Sequence, residues 1–406
     1  MRLTAALTAS RDVTMIDAVS AFAAELRRLR AARGLSVRRL ADRVYFSKSY
    51  IGMLEHGDRA ATGRAARRLD DVLEAHGSLI RLVDGAEPVA SAADVVNGTA
   101  RTDADEPMSA DDVQHLRDTV HHLVALDTAH GSGGLHLSAI RAFQTARSRL
   151  ARVGVRAGDR SDVHAALAEV GEVAAWLAYD SEHQDDSRRI ATEAMLVAQT
   201  AGDTSMARFL ASHLSMQATY LGRGAEGLAL ADRVIAERPK SRRVVGMMRV
   251  RRARALAQLG DGRRALAELE KARRELAGGI GPGDPGWTWW LHTAELAVHE
   301  ARIRSLSDDG RGAATRSERA VLALPAGQGR DQSLYRAWLI SDLVDVGAWG
   351  EADEVAEELI DRVSTAGTAR VPKILGRTVR RARRADAPSW LVDALHEATE
   401  ASHRAA

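Results

Sequence analysis

At 406 residues the chain is too long for one small domain, and its 57 Lys/Arg nearly balance 55 Asp/Glu, so a charge of only +2 gives no global bias toward a polyanion. Aromatics at 4% within a hydrophobic content of 45% point to close-packed, alanine-rich helices. The absence of cysteine excludes disulfides, thiolate metal sites and cysteine nucleophiles.

Residues 1–18 carry no periodic pattern and read as a tail, with neither a bilayer-length apolar run nor a secretory signal, so a cytoplasmic protein without a membrane partner is expected. Residues 19–84 form the first domain. Phe22, Leu26 and Leu29 recur at helical spacing before Gly34. Ser36 can cap a helix over Val37–Val44 and Ser47 a second over Lys48–His56, because each hydroxyl accepts an unpaired first-turn N–H. Leu40, Ala41, Val44, Ile51 and Leu54 then face one another, and the small Ala41 lets the two helices cross closely. Ala66, Leu69, Val72 and Leu73 mark a closing helix between Gly63 and His76.

Two short capped helices with this turn make a helix-turn-helix. From Ser20 to Asp84, 13 Lys/Arg face eight Asp/Glu, so the basic excess is concentrated here. The segment from Phe22 to Val83 resembles the lambda-repressor/Cro-type (XRE) family, which implies a five-helix-type DNA-binding domain. In that fold the second helix of the motif presents its first turn to base edges. The resemblance therefore implies base contacts from Lys48, Ser49 and Tyr50 beside the capping Ser47, and phosphate contacts from Arg38, Arg39, Arg59 and Arg64. Two positions depart from the family pattern: Val37 stands where a Gln is frequent, and Tyr45 where the turn often has Gly.

Residues 85–112 are acidic, with Arg101 the single basic residue, are punctuated by Pro88, Gly98 and Pro107, and hold Asn97, the chain's only asparagine; they read as a linker. Residues 113–406 favour helix throughout and repeat a motif that starts at Gly222, Gly260, Asp308 and Gly347. Each start is followed five positions later by Gly227, Ala265, Ala313 or Ala352, and a weaker copy spans Val163 to Ala201. The spacing resembles the tetratricopeptide repeat. An all-α chain, helix-turn-helix followed by a tetratricopeptide-like α-solenoid, is the expected fold. This architecture is similar to that of the Rgg and PlcR kind of peptide-sensing regulators. It also resembles a class of regulators from antibiotic-producing bacteria with a Trp-rich segment like Gly286–Leu291.

The repeat frame places the first helix of each pair on the concave wall, so Tyr220, Arg254, Glu295, Arg302 and Asp345 are candidates to face the groove. Trp287, Trp289 and Trp290 are expected to open a helix continuing into Leu291 and Ala294, with Trp287 a candidate groove anchor. Peptide-sensing relatives clamp a peptide with asparagines, which this groove lacks; Gln217 and Gln258 are the available substitutes. His115, His121, His122, His130 and His136 lack the paired helical spacing with Glu of a zinc protease, and Gly131–Gly134 lacks the strand and Lys-Ser/Thr of a phosphate loop. Neither an enzyme nor a cofactor or metal is expected. The sequence points to a homodimeric transcription regulator that binds a double-stranded operator and senses a small ligand or short peptide. The alternative is a protein-interaction scaffold with a helix-turn-helix for recruitment.

Overall fold

The computed structural model describes residues 21–44, 48–56, 106–132, 134–324, 329–362 and 368–405, with single positions between 61 and 82. The chain divides into two compact units, Met1–Ser91 and Ala92–Ala406. Among the described residues there is no strand, only an isolated bridge between Met108 and Val155.

The first unit contains α1 (residues 21–32), α2 (Val37–Val44) and α3 (Lys48–His56), with the last two spanning the residues the caps predict. Ser36 Oγ accepts the Arg39 N–H at 3.1 Å, the predicted N-cap of α2. Phe22, Leu26, Leu40, Ala41, Val44, Ile51, Leu54, Ala66, Leu69 and Leu73 are buried together, so the apolar periodicity of the sequence is the core of this unit.

The second unit is a run of antiparallel helix pairs. Its helices are α4 (Ala110–His130), α5 (Leu135–Val153), α6 (Arg160–Asp180), α7 (Gln184–Ala201), α8 (Thr204–Tyr220) and α9 (Gly224–Ala236). They continue through α10 (Arg242–Gln258), α11 (Gly262–Leu276), α12 (Thr293–Ser305), α13 (Gly310–Leu322), α14 (Gly329–Asp345), α15 (Trp349–Arg362), α16 (Arg370–Arg384) and α17 (Ser389–Ala405). The unit starts inside the stretch read as linker. Met108 is buried and its N–H donates to Gly154 O at 3.0 Å, while Asp112 caps the Ser109 N–H at 2.9 Å.

The repeated motif has a conformational cause. Gly222, Gly260 and Gly347 turn each pair with φ of 84°, 84° and 73°, where glycine costs least. In the less regular repeat Asp308 takes φ 56°, and in the early copy Glu182 takes φ 65°. Five positions on, the small residue lets the second helix sit against the first: a Cβ on Gly227 would lie 2.5 Å from Thr219 Oγ1 and 3.0 Å from Ser215 O. On α6 the close approach is to carbon from two helices, since a Cβ on Gly171 would lie 2.6 Å from Ala194 Cβ and 2.7 Å from the Phe143 ring. Gly171→Ala is expected to destabilise the unit by about 1–3 kcal/mol through overpacking. An unchanged thermal midpoint of the full chain would contradict this packing.

The pairs curve until their inner helices meet. The Arg370 guanidinium on α16 lies 2.6 Å from Asp180 on α6, and that of Arg330 on α14 lies 2.9 Å from Asp127 on α4. The first helices α6, α8, α10, α12, α14 and α16 thus line one inner wall.

Candidate functional site

On the first unit, Lys48, Ser49 and Tyr50 form the first turn of α3, and Arg38 and Arg39 are exposed on the first turn of α2. Val37 is half-buried against the core instead of reaching outward. Ser47, Arg59 and Arg64, with Tyr45 of the turn, lie outside the described residues. One feature of this face gave no sequence signal. Arg30 on α1 reaches the buried Glu55 at the end of α3 at 2.9 Å and donates to Leu35 O at 2.8 Å, so α1, the turn before α2, and α3 are fixed to one another. The Glu55 carboxylate raises the Arg30 guanidinium's pKa.

On the inner wall of the second unit the candidate residues separate into paired and unpaired groups. Tyr220 donates to Glu182, which also binds Lys373 on α16, and the ammonium lies 5.1 Å over the Tyr220 ring. Burial, and then the Glu182 carboxylate, push the Tyr220 hydroxyl's pKa up, so it remains a donor. Arg302 is buried, paired with Asp342 and stacked 4.4 Å over Trp338. Glu295 accepts from the Tyr335 hydroxyl and lies 3.1 Å from His299 Nε2. Burial works against its ionisation, but His299 and Tyr335 outweigh it and hold the carboxyl down at about 2. Asp345 is bound by Arg381 at 2.9 Å.

Arg254 differs from these. It lies half-buried beside Arg251 and Arg302, its Nη1 is shielded from solvent, and no hydrogen bond or ion pair engages it among the described residues. Burial, followed by the charges of Arg302 and Arg251, pulls its pKa down to about 10. Arg254, Glu295 and Arg302 are therefore brought together, with Arg251 joining them.

The tryptophans do not open a helix as expected. Gly286–Trp290 is a separate 3-10 turn, and α12 starts only at Thr293 behind a cap from His292. Arg243 holds the turn by donating to Thr288 O at 2.8 Å and Leu291 O at 2.7 Å. Trp287 stacks on Phe209 at 4.4 Å and donates to Ser205 Oγ at 3.2 Å, so it anchors this long connection to α8. Trp290 lies 5.3 Å from the Arg251 guanidinium.

The side chains that tie the ends of the wall together, Asp127, Trp176, Tyr179, Asp180, Arg330 and Arg370, are missed by sequence reasoning. Arg370 lies 5.2 Å over Tyr179 and Arg330 lies 5.1 Å over Trp176. Gln217 and Gln258 are spent within the wall, donating to Gln184 O and Thr219 O. Among the described residues no group of His, Asp and Glu is placed to hold a metal ion, and no helix is long and apolar enough to cross a membrane.

Residues 21–83 match the family model described as a helix-turn-helix domain. The match spans α1, α2 and α3 of the N-terminal unit. No curated protein matches the chain. Among solved structures, Bacillus thuringiensis PlcR in complex with the peptide PapR7 and DNA is 10% identical, with a TM-score of 0.35 over 74% of this chain and 95% of that one. A Rap protein complexed with competence and sporulation factor is 12% identical, with a TM-score of 0.49 over 96% of this chain and 99% of that one. A signal transduction ATPase with a tetratricopeptide repeat sensor from Pyrococcus horikoshii is 12% identical, with a TM-score of 0.34 over 73% of this chain and 52% of that one.

Proposed function

We propose that the protein is a sequence-specific DNA-binding transcription regulator whose helical repeat unit dimerises and senses a ligand. The observation that carries this reading is the helix-turn-helix itself. Helix α3 and helix α2, with its exposed Arg38 and Arg39, share one closed apolar core, and the Arg30–Glu55 brace ties α3 to α1. Such a helix enters the major groove while the preceding one crosses the backbone.

The test is binding of the full chain to genomic fragments. A specific fragment is expected, and Lys48→Ala should lose about 1–3 kcal/mol on it and relax the sequence preference at one position. Arg38→Ala should instead weaken all sequences alike and lower the salt slope by about one. Absence of any specific fragment would favour the interaction-scaffold alternative. One such domain covers a half-site, so light scattering of the free protein should give a dimer. Linkage tests the sensor: a ligand that weakens operator binding must itself bind the operator complex more weakly by the same factor.

A further inference from the structure

On the inner wall the cations are not all matched by carboxylates of their own. Of its cations, Arg302 is matched by Asp342, Arg330 by Asp127 and Asp331, Arg370 by Asp180, and Lys373 by Glu182. Arg251 and Arg254, three positions apart on α10, are paired with no carboxylate among the described residues. Arg251 is 6% exposed and donates through Nε to Ser212 Oγ at 3.0 Å, and among the described residues no carboxylate or other acceptor meets its two η nitrogens. Among the described residues no acceptor meets Arg254, and its Nη1 is shielded from solvent. The nearest carboxylate, Glu295, is already used by Tyr335 and His299, and one carboxylate cannot balance two guanidinium groups.

A buried cation without a counter-charge is costly, and the cost is removed when a matching anion enters. Two guanidinium groups side by side on one helix face present the forked donors that fit a planar oxyanion. Solvent reaches this place, since the Glu295 side chain keeps 24% of its exposure. Its rim is aromatic: Trp290 sits 5.3 Å from Arg251, and Tyr179 packs edge-on to Tyr220 at 5.3 Å. The wall offers no asparagine, and the amide N–H groups of Gln217 and Gln258 are already committed, so it is poorly equipped to clamp an extended peptide backbone.

We infer that Arg251 and Arg254 form the binding site for the carboxylate of a small organic acid with an apolar or aromatic body. This identifies the class of ligand for the sensing unit and so rests on the sensor part of the proposed function, although it does not depend on DNA binding.

The test is isothermal titration of the full chain, without DNA, against 3-phenylpropanoate, its neutral amide and inorganic phosphate. The carboxylate is expected to bind at millimolar or lower concentration and at least about tenfold more tightly than either comparison. Arg254→Met removes an unpaired cation and keeps the chain's length and packing, so its thermal midpoint should stay level or rise while the preference for carboxylate over amide disappears. Equal binding of acid and amide, no binding of the acid, retention of the preference in Arg254→Met, or phosphate binding as tight as the acid would each overturn the assignment. A chain that fails here and still selects a specific DNA fragment leaves the DNA-binding reading intact; a chain that binds the acid but selects no fragment overturns that reading alone.

Discussion

Asp180→Ala should destabilise the repeat unit by about 3–5 kcal/mol, because it leaves buried positive charge without its counter-ion. Asp180 is fully buried at the end of α6, where Arg370 reaches it at 2.6 Å and Ser132 Oγ donates to it at 2.9 Å. Burial alone would raise its pKa, yet Arg370 and Arg330 hold the carboxyl below the usual range, so it is ionised when folded. The same residue's carbonyl accepts from Thr368 Oγ1 at 3.1 Å, which ties the segment before α16 to α6. Losing the carboxylate should therefore loosen the junction of the two ends as well as lower stability. Denaturant unfolding gives the first effect, and hydrogen exchange at α6 and α16 the second. A double variant with Arg370→Met should recover part of the loss, since the uncompensated cation is then gone as well. A single variant that loses less than about 1 kcal/mol would show that the two ends are held by apolar packing instead.

The sequence displays the helix-turn-helix because its determinants are local. Ser36, the apolar positions of α2 and α3, and Gly34 at φ 60° act within a few residues of each other, and each recurs in the structure at its predicted place. The repeats are legible for the same reason, since a left-handed turn and a small residue five positions on recur in every copy. The Trp segment was misread because apolar spacing alone does not reveal a cap. His292 accepts the Glu295 N–H and starts α12 anew, and Trp287 is drawn away to Phe209 on a helix two repeats earlier.

The inner wall was legible only by helix face. Placing Tyr220, Arg254, Glu295 and Arg302 on one wall follows from periodicity. Which of them is satisfied depends on partners far along the chain. Tyr220 and Glu182 are 38 positions apart, Arg302 and Asp342 are 40 apart, and Arg370 and Asp180 are 190 apart. Ion pairs at those separations carry no sequence spacing, so the distinction between Arg302, which is neutralised, and Arg254, which is not, comes only from the fold.

Lowering the pH from 7 to 5 should cost the protein stability through His213, and His213→Gln should reduce that cost. The imidazole is buried on α8, its Nε2 lies 3.0 Å from Ser187 Oγ, and Tyr179 packs edge-on at 5.8 Å. Burial first, then the neighbouring Arg251 charge, pull its pKa from 6.5 down to about 3. Between those two values the unfolded chain binds a proton that the folded one refuses, so stability is complete above about 6.5 and falls as the pH drops toward 3. The slope for one such group approaches about 1.4 kcal/mol per pH unit. Glutamine can keep the hydrogen bond to Ser187 and has no proton to gain, so the variant should show a shallower loss between pH 7 and 5 by about 2 kcal/mol. Other groups titrate in this window, among them Glu172, whose carboxyl burial pushes up to about 8, and His299, whose imidazole burial pulls down, so the difference between the two proteins, not the slope of either, isolates His213. Identical pH slopes for the two proteins, measured by denaturant unfolding, would show that His213 accepts its proton without leaving the fold.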